Sequence, residues 1–102
     1  MRAAKADANQ REIVATFRAA GATVHSLHRE GGGCPDLVVG YRGLNLMVEV
    51  KDGSKPPSAQ RLTPAQVDWH RDWRGQVCVV NSPEAALALL GVIPVVGHVR
   101  SD

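Results

Sequence analysis

The chain has 102 residues, 44% of them hydrophobic and 22% charged, and its 12 basic and 10 acidic side chains leave a formal net charge of +2. That length holds one domain, and no apolar run approaches the ~20 residues of a membrane span. The net charge is too small to imply a nucleic-acid partner by itself, so the distribution of charge has to carry that argument.

A first helix is expected from Asp7 or Asn9 as cap, with Glu12 in its first turn, Ile13, Phe17 and Ala20 at helical spacing, and Gly21 as its stop. Residues 22–27 contain the β-branched Thr23 and Val24 and read as a short strand. A glycine-rich turn, Gly31-Gly32-Gly33, follows. It is not a phosphate loop, because no GK[ST] comes after it and it leads into a strand rather than a helix. Leu37-Val38-Val39 is apolar on both faces, as in a central strand. From Leu44 the chain alternates, with Leu44, Leu46, Val48 and Val50 on one face and Asn45, Met47, Glu49 and Lys51 on the other. Arg42-Gly43 between these strands serves as a two-residue hairpin turn.

Residues 52–61 are polar, contain two prolines and read as an exposed loop. Thr63-Pro64-Ala65-Gln66 is a helix start, with an N-cap threonine, a first-turn proline and a glutamine three residues on. That helix is expected to reach about Arg74 and stop at Gly75. Residues 76–80 read as a strand, and Ser82-Pro83-Glu84 begins a last helix carrying Leu87, Leu89 and Leu90. The tail holds Ile93, Val95 and Val96 and would form an edge strand or pack on a partner. The order helix, strand, strand, strand, helix, strand, helix implies an α/β domain: a central mixed sheet of about four strands flanked by helices.

With Arg42-Gly43 as the turn, Val39 faces Leu46, Leu37 faces Val48, and Asp36 faces Glu49. Directly opposed residues have Cβ atoms about 4.5–5.5 Å apart. Two carboxylates at ~4 Å repel by ~4 kcal/mol at an effective dielectric of ~20. Such a pair requires a proton, a basic partner or a metal, and Mg²⁺ favours one or two carboxylates together with substrate phosphates. Lys51 leaves the same face two residues on and would neutralise a phosphate or help deprotonate a water. Glu12 would supply a third carboxylate. The bland alternative is a solvated strand face with a weak Glu49–Lys51 surface pair worth under ~1 kcal/mol, and Glu12 also suits a helix dipole.

Gly33-Cys34-Pro35-Asp36 followed by Glu49-Val50-Lys51 resembles the Asp…Glu-x-Lys signature of the PD-(D/E)XK nuclease superfamily, nearest to its small VRR-NUC and Holliday-junction-resolvase-like phage and prophage members. The likeness runs from Glu12 to about Leu90 and includes the Leu62-Thr63-Pro64-Ala65-Gln66 helix start. It implies a restriction-endonuclease-like fold and Mg²⁺-dependent hydrolysis of DNA phosphodiesters, with Mn²⁺ as a substitute. Asp36 and Glu49 would be metal ligands, completed by the backbone carbonyl of Val50. Lys51 would handle the attacking water, Glu12 would match the carboxylate of the leading helix, and Gln66 the polar residue of the next helix. Its capping-box position already explains Gln66 without catalysis. Branched DNA is the implied substrate and a homodimer or higher symmetric oligomer the implied assembly, in the cytoplasm of a bacterial or phage-infected cell. The rivals are a nicking or homing-type endonuclease on duplex DNA and a catalytically idle DNA-binding subunit of the same fold.

Two cysteines, Cys34 and Cys78, are too few for a disulfide scaffold and fit a reducing cytosol. Residues 1–9 have no apolar segment of the signal-peptide kind. His25, His28 and Cys34 invite a zinc reading but lack a well-spaced fourth ligand. Arg29 near the glycine turn, and Lys55 and Arg61 around the proline loop, are candidate phosphate contacts, with ordinary solvent exposure as the alternative. Trp69 and Trp73, four residues apart, read first as core or a dimer interface and second as a base-stacking surface.

Overall fold

The computed structural model describes residues 2–94, with side chains from residue 8 onward. Its elements are α1 (Arg2–Ala19), β1 (Thr23–Ser26), β2 (Leu37–Tyr41), β3 (Leu44–Val50), a 3-10 turn (Pro57–Gln60), α2 (Pro64–Asp72), β4 (Val77–Val80) and α3 (Pro83–Val92). The strands form one mixed sheet in the order β1-β2-β3-β4. β1, β2 and β3 are successively antiparallel, and β4 joins β3 in parallel after the crossover through α2.

Hydrophobic periodicity explains the layers. Ile13 and Phe17, one helical turn apart on α1, are fully buried with Leu37, Val39 and Val48 of the sheet. Leu46, Val80, and Ala86 and Leu90 of α3 complete this core. α1 and α3 therefore cover one face of the sheet. α2 buries none of its residues and approaches the other face, where Glu49 points.

The hairpin register is Tyr41↔Leu44 through Leu37↔Val48, as the alternation requires. Arg42 and Gly43 both have positive φ, 52° and 83°, which is the two-residue hairpin geometry whose twist suits the flanking strands. The Arg42 guanidinium lies 5.1 Å from the Tyr41 ring centroid and donates to the Ile93 carbonyl at 2.9 Å. That bond ties the turn to the end of α3.

Several expectations are corrected. α1 already runs through Asp7 and Asn9, so neither caps it; Ala, Lys and Gln at residues 3–10 are strong helix formers that carry the helix back toward the N-terminus. The proline loop contains a turn of 3-10 helix. α2 ends at Asp72 with Trp73 as its C-cap, rather than at Arg74. The tryptophan pair lies outside the buried core cluster: Trp69 is half-buried and Trp73 exposed, with Trp73 at the rim of an apolar cavity lined by Leu46, Val77, Leu89 and Ile93. An edge strand or partner contact in the tail beyond residue 94 falls outside the described residues.

Candidate active site

Asp36 is delivered to the sheet by Gly33-Cys34-Pro35. Gly33 adopts φ +84°, and a Cβ there would collide with the Ala65 carbonyl oxygen in the first turn of α2. Only glycine lets the chain pass beneath that helix. Pro35 is fully buried and fixes the next step. Continuing the register one residue beyond Leu37↔Val48 sets Asp36 across from Glu49. Leu37 and Val48 point into the core, so the two acids share the opposite face. Asp36 Oδ2 accepts from the Val50 amide at 2.8 Å. Within a strand a residue's N–H and C=O project to the same side, so the Val50 carbonyl is also turned toward Asp36.

Glu49 is only 3% exposed. Its Oε2 accepts from Gln66 Nε2 at 3.0 Å and lies 3.8 Å from Lys51 Nζ. Its Oε1 is buried without a hydrogen-bond partner. Burial pushes the Glu49 carboxyl up to about 7, the neighbouring Asp36 charge adds to the rise, and Lys51 only partly offsets them. The solvated-face alternative fails here, because a surface glutamate would be neither buried nor shifted.

Gln66 makes its capping contacts and also reaches the acidic centre. As the third residue of α2 it completes a capping box: Thr63 N donates to Gln66 Oε1 at 2.9 Å, and Gln66 N donates to Thr63 Oγ1 at 3.2 Å. The same Oε1 accepts from Lys51 Nζ at 2.8 Å. One amide thus starts the helix and holds the lysine and the glutamate of the strand in register.

Of the sequence-derived site residues, the structure brings together Asp36, Glu49, Val50, Lys51 and Gln66. It does not bring in Glu12. That residue is exposed on α1, and among the described residues no group of three His, Cys, Asp or Glu side chains is close enough to hold an ion. Ile13, its neighbour, takes the inward position. Asn9 reaches the site instead: its side-chain amide donates to the Lys51 carbonyl at 2.9 Å. Asn9, Ile13 and Phe17 form an i, i+4, i+8 stripe, so Asn9 was legible as the polar end of the apolar face. The absence of a three-residue cluster also removes the zinc reading of His25, His28 and Cys34 among the described residues. Burial and the charges of Glu30, Asp36 and Glu49 push the Cys34 thiol up, away from a reactive thiolate. Arg29, Lys55 and Arg61 are all exposed.

His70, one turn beyond Gln66, was not singled out from sequence. Its Nε2 is buried without a partner, and burial together with the Lys51 charge lowers its pKa. It stands beside the lysine as a neutral ring.

The oxygen-only donor set of Asp36, Glu49 and the Val50 carbonyl suits a hard divalent cation. The orphaned Glu49 Oε1 is the atom such an ion would satisfy, and a cation between the carboxylates would offset both the burial of the Glu49 charge and its repulsion by Asp36. The residues present therefore fit Mg²⁺.

A solved structure described as a VRR_NUC domain superposes on this chain with a TM-score of 0.65 and 32% sequence identity, over 86% of this chain and 96% of the other. The chain belongs to the VRR_NUC domain family. No protein-family model and no curated protein matches it. The shared architecture is the small α/β unit described above, a four-stranded mixed sheet flanked by helices. In this VRR_NUC domain the acids and the lysine collect where β2 begins and β3 ends, below the N-terminus of α2.

Proposed function

We propose that this VRR_NUC domain is a metal-dependent endonuclease that hydrolyses DNA phosphodiester bonds, with a preference for branched DNA. The observation that carries the reading is the buried, partly orphaned Glu49 carboxylate beside Asp36, with Lys51 on the same face. A structural ion pair would use both glutamate oxygens. Here one oxygen is kept free in a buried place, at a cost of ~1–3 kcal/mol in the absence of a ligand.

Asp36, Glu49 and the Val50 carbonyl would hold Mg²⁺ or Mn²⁺. When bound, the ion would supply Lewis-acid polarisation of the phosphoryl group and a lowered pKa for an attacking water. The protein's own residues do the rest. The Val50 amide fixes Asp36 in one rotamer. Gln66 holds Lys51 Nζ within 2.8 Å of its own amide oxygen, so the ammonium faces the centre instead of solvent. There Lys51 stabilises charge that grows on the phosphate and orients the water. Asn9 clamps the strand end that carries the lysine. Arg29, Lys55 and Arg61, on loops flanking this edge, would contact backbone phosphates.

The test is cleavage of supercoiled plasmid, linear duplex and a four-way junction by the purified protein, with Mg²⁺ or with EDTA. Junction cleavage that requires Mg²⁺ and is lost in Asp36→Ala supports the reading. Binding without cleavage of any substrate would make the protein an idle DNA-binding subunit and overturn it.

A further inference from the structure

One flank of α2, beside the strand-and-lysine centre but not used by it, is built in an unusual way. Gln66, Trp69 and Trp73 recur at i, i+3 and i+7 and so lie along one side of the helix. Gln66 touches Glu49 and Lys51. Trp69 and Trp73 stack on each other, with ring centroids 4.7 Å apart and planes 18° from parallel. Trp73 is 45% exposed. A Cβ at Gly75 would meet Trp73 Nε1 at 2.8 Å, so the glycine lets the indole lie against the returning chain and limits where the ring can go.

Beside the pair is an open cavity of about 340 Å³ lined by Gly32, Ala65, Asp68, Trp69, Asp72 and Trp73. Its volume falls within the ~300–1,000 Å³ of small-molecule sites. Its lining contains two carboxylates and no cationic side chain. Arg71, whose guanidinium pairs with Asp68 at 3.2 Å and Asp72 at 2.8 Å, is not part of the wall. A phosphate would find no free cation there, since Arg71 is already held by Asp68 and Asp72. A nucleobase would meet indole faces, and its exocyclic amino group would meet a carboxylate acceptor.

We propose that the Trp69–Trp73 cavity is a subsite for an unpaired nucleobase of the DNA strand being cut. This inference rests on DNA being the substrate and goes beyond the cleavage reading by assigning what selects it. Seven residues of helix rise separate Gln66 from Trp73, ~10 Å at ~1.5 Å each. That distance is within about three nucleotides of the scissile phosphate at ~3.4 Å per nucleotide. A duplex keeps its bases stacked and offers the cavity only backbone, for which the wall holds no cationic partner. A branch point, flap or single strand offers a free base. The surface thus converts the absence of pairing into binding, and it places the selecting element on the same helix that holds Lys51.

Trp69 and Trp73 are the only tryptophans in the chain, so intrinsic fluorescence reports on this site alone. The protein in EDTA is titrated with a single-stranded 12-mer, with the same strand made of abasic nucleotides, and with the blunt duplex. Quenching by the 12-mer, with at least fivefold weaker binding of the abasic strand and weak quenching by the duplex, is expected; one stacked base is worth ~1–3 kcal/mol, or about 5- to 150-fold. Trp73→Ala should weaken binding of the 12-mer into that range, and Trp73→Tyr should restore most of it. Equal binding of the abasic and normal strands, or no fluorescence change on binding, overturns the proposal. Plasmid or junction cutting by the wild type with Mg²⁺ is read separately. Cutting without quenching sinks the base subsite and leaves the nuclease, whereas quenching without cutting sinks the nuclease and leaves a base-binding site.

Discussion

Replacing Glu49 with glutamine changes one proton and almost no volume. In the wild type without metal, the Glu49 carboxyl is raised from 4.5 to about 7 by burial and by Asp36. At ~1.4 kcal/mol per tenfold, that rise corresponds to ~3 kcal/mol. Because the folded value lies above the unfolded one, the native state retains a proton that the unfolded chain has lost between pH 4.5 and 7. This contribution to stability is full below pH 4.5 and disappears as pH rises through 7. Glutamine mimics the protonated form at every pH: its carbonyl accepts from Gln66 Nε2, and its amide donates toward Asp36. Loss of the Lys51 attraction subtracts from the gain. Glu49→Gln should therefore be more stable than wild type at pH 8 in EDTA by ~1–3 kcal/mol, and nearly equal to it at pH 4.5. For a domain of this size that is ~4–8 °C in Tm per kcal/mol. Thermal unfolding of both proteins from pH 4.5 to 8.5 reads the difference directly, and His70, whose lowered pKa acts in the opposite sense, cancels in it. Millimolar Mg²⁺ at pH 8 should raise the Tm of wild type and leave the variant little changed. A gap between the two proteins that does not grow with pH, or a variant less stable than wild type at pH 8, would refute the account of a destabilised acid pair.

Further outcomes follow from the same geometry. Lys51→Met should cut the rate of phosphodiester cleavage by at least ~100-fold, the usual scale for a lost charge-stabilising donor, while costing about 1 kcal/mol from the hydrogen bond to Gln66; single-turnover cleavage and urea unfolding separate the two. Gln66→Ala removes the capping box and the lysine tether together, so it should lose about 1 kcal/mol of stability and also shift the pH–rate profile, whereas Thr63→Ala should cost similar stability and leave the profile in place. Gly33→Ala forces a left-handed backbone and a clash with the Ala65 carbonyl oxygen, so it should destabilise by ~1–3 kcal/mol in denaturant unfolding.

Most of the sheet was readable because one physical rule dominates it. Leu37, Val39, Leu46 and Val48 alternate with period two, and a one-residue slip would turn all four to solvent. The Arg42-Gly43 turn fixed the phase of that alternation and hence the opposition of Asp36 and Glu49. The start of α1 was misread because Asp7 and Asn9 are good caps in isolation, yet a run of helix formers ahead of them makes a longer helix cheaper than a capped short one. Glu12 was misplaced for a related reason: at position 12 a small rotation decides between core flank and open solvent, and Ile13 settles it. The tryptophans read first as core or a dimer interface because large aromatics are usually buried; the placement of α2 at the sheet's polar centre leaves Trp69 half-buried and Trp73 exposed, outside the core. His70 gave no local signal at all, since the Lys51 charge that bears on it comes from another element.

A helix that contributes no side chain to the core is moored to the body chiefly through a single amide and the close passage of a glycine. Its dissociation would uncover little oily surface, so it belongs to the least costly openings of the molecule. Yet the ammonium at the reacting edge is aimed by that same amide. The Glu49–Gln66–Lys51 contacts are thus kept only while the helix is seated. Seating of this helix and the aim of the lysine then become one mechanical event, with amide-proton exchange along residues 64–72 as its natural gauge.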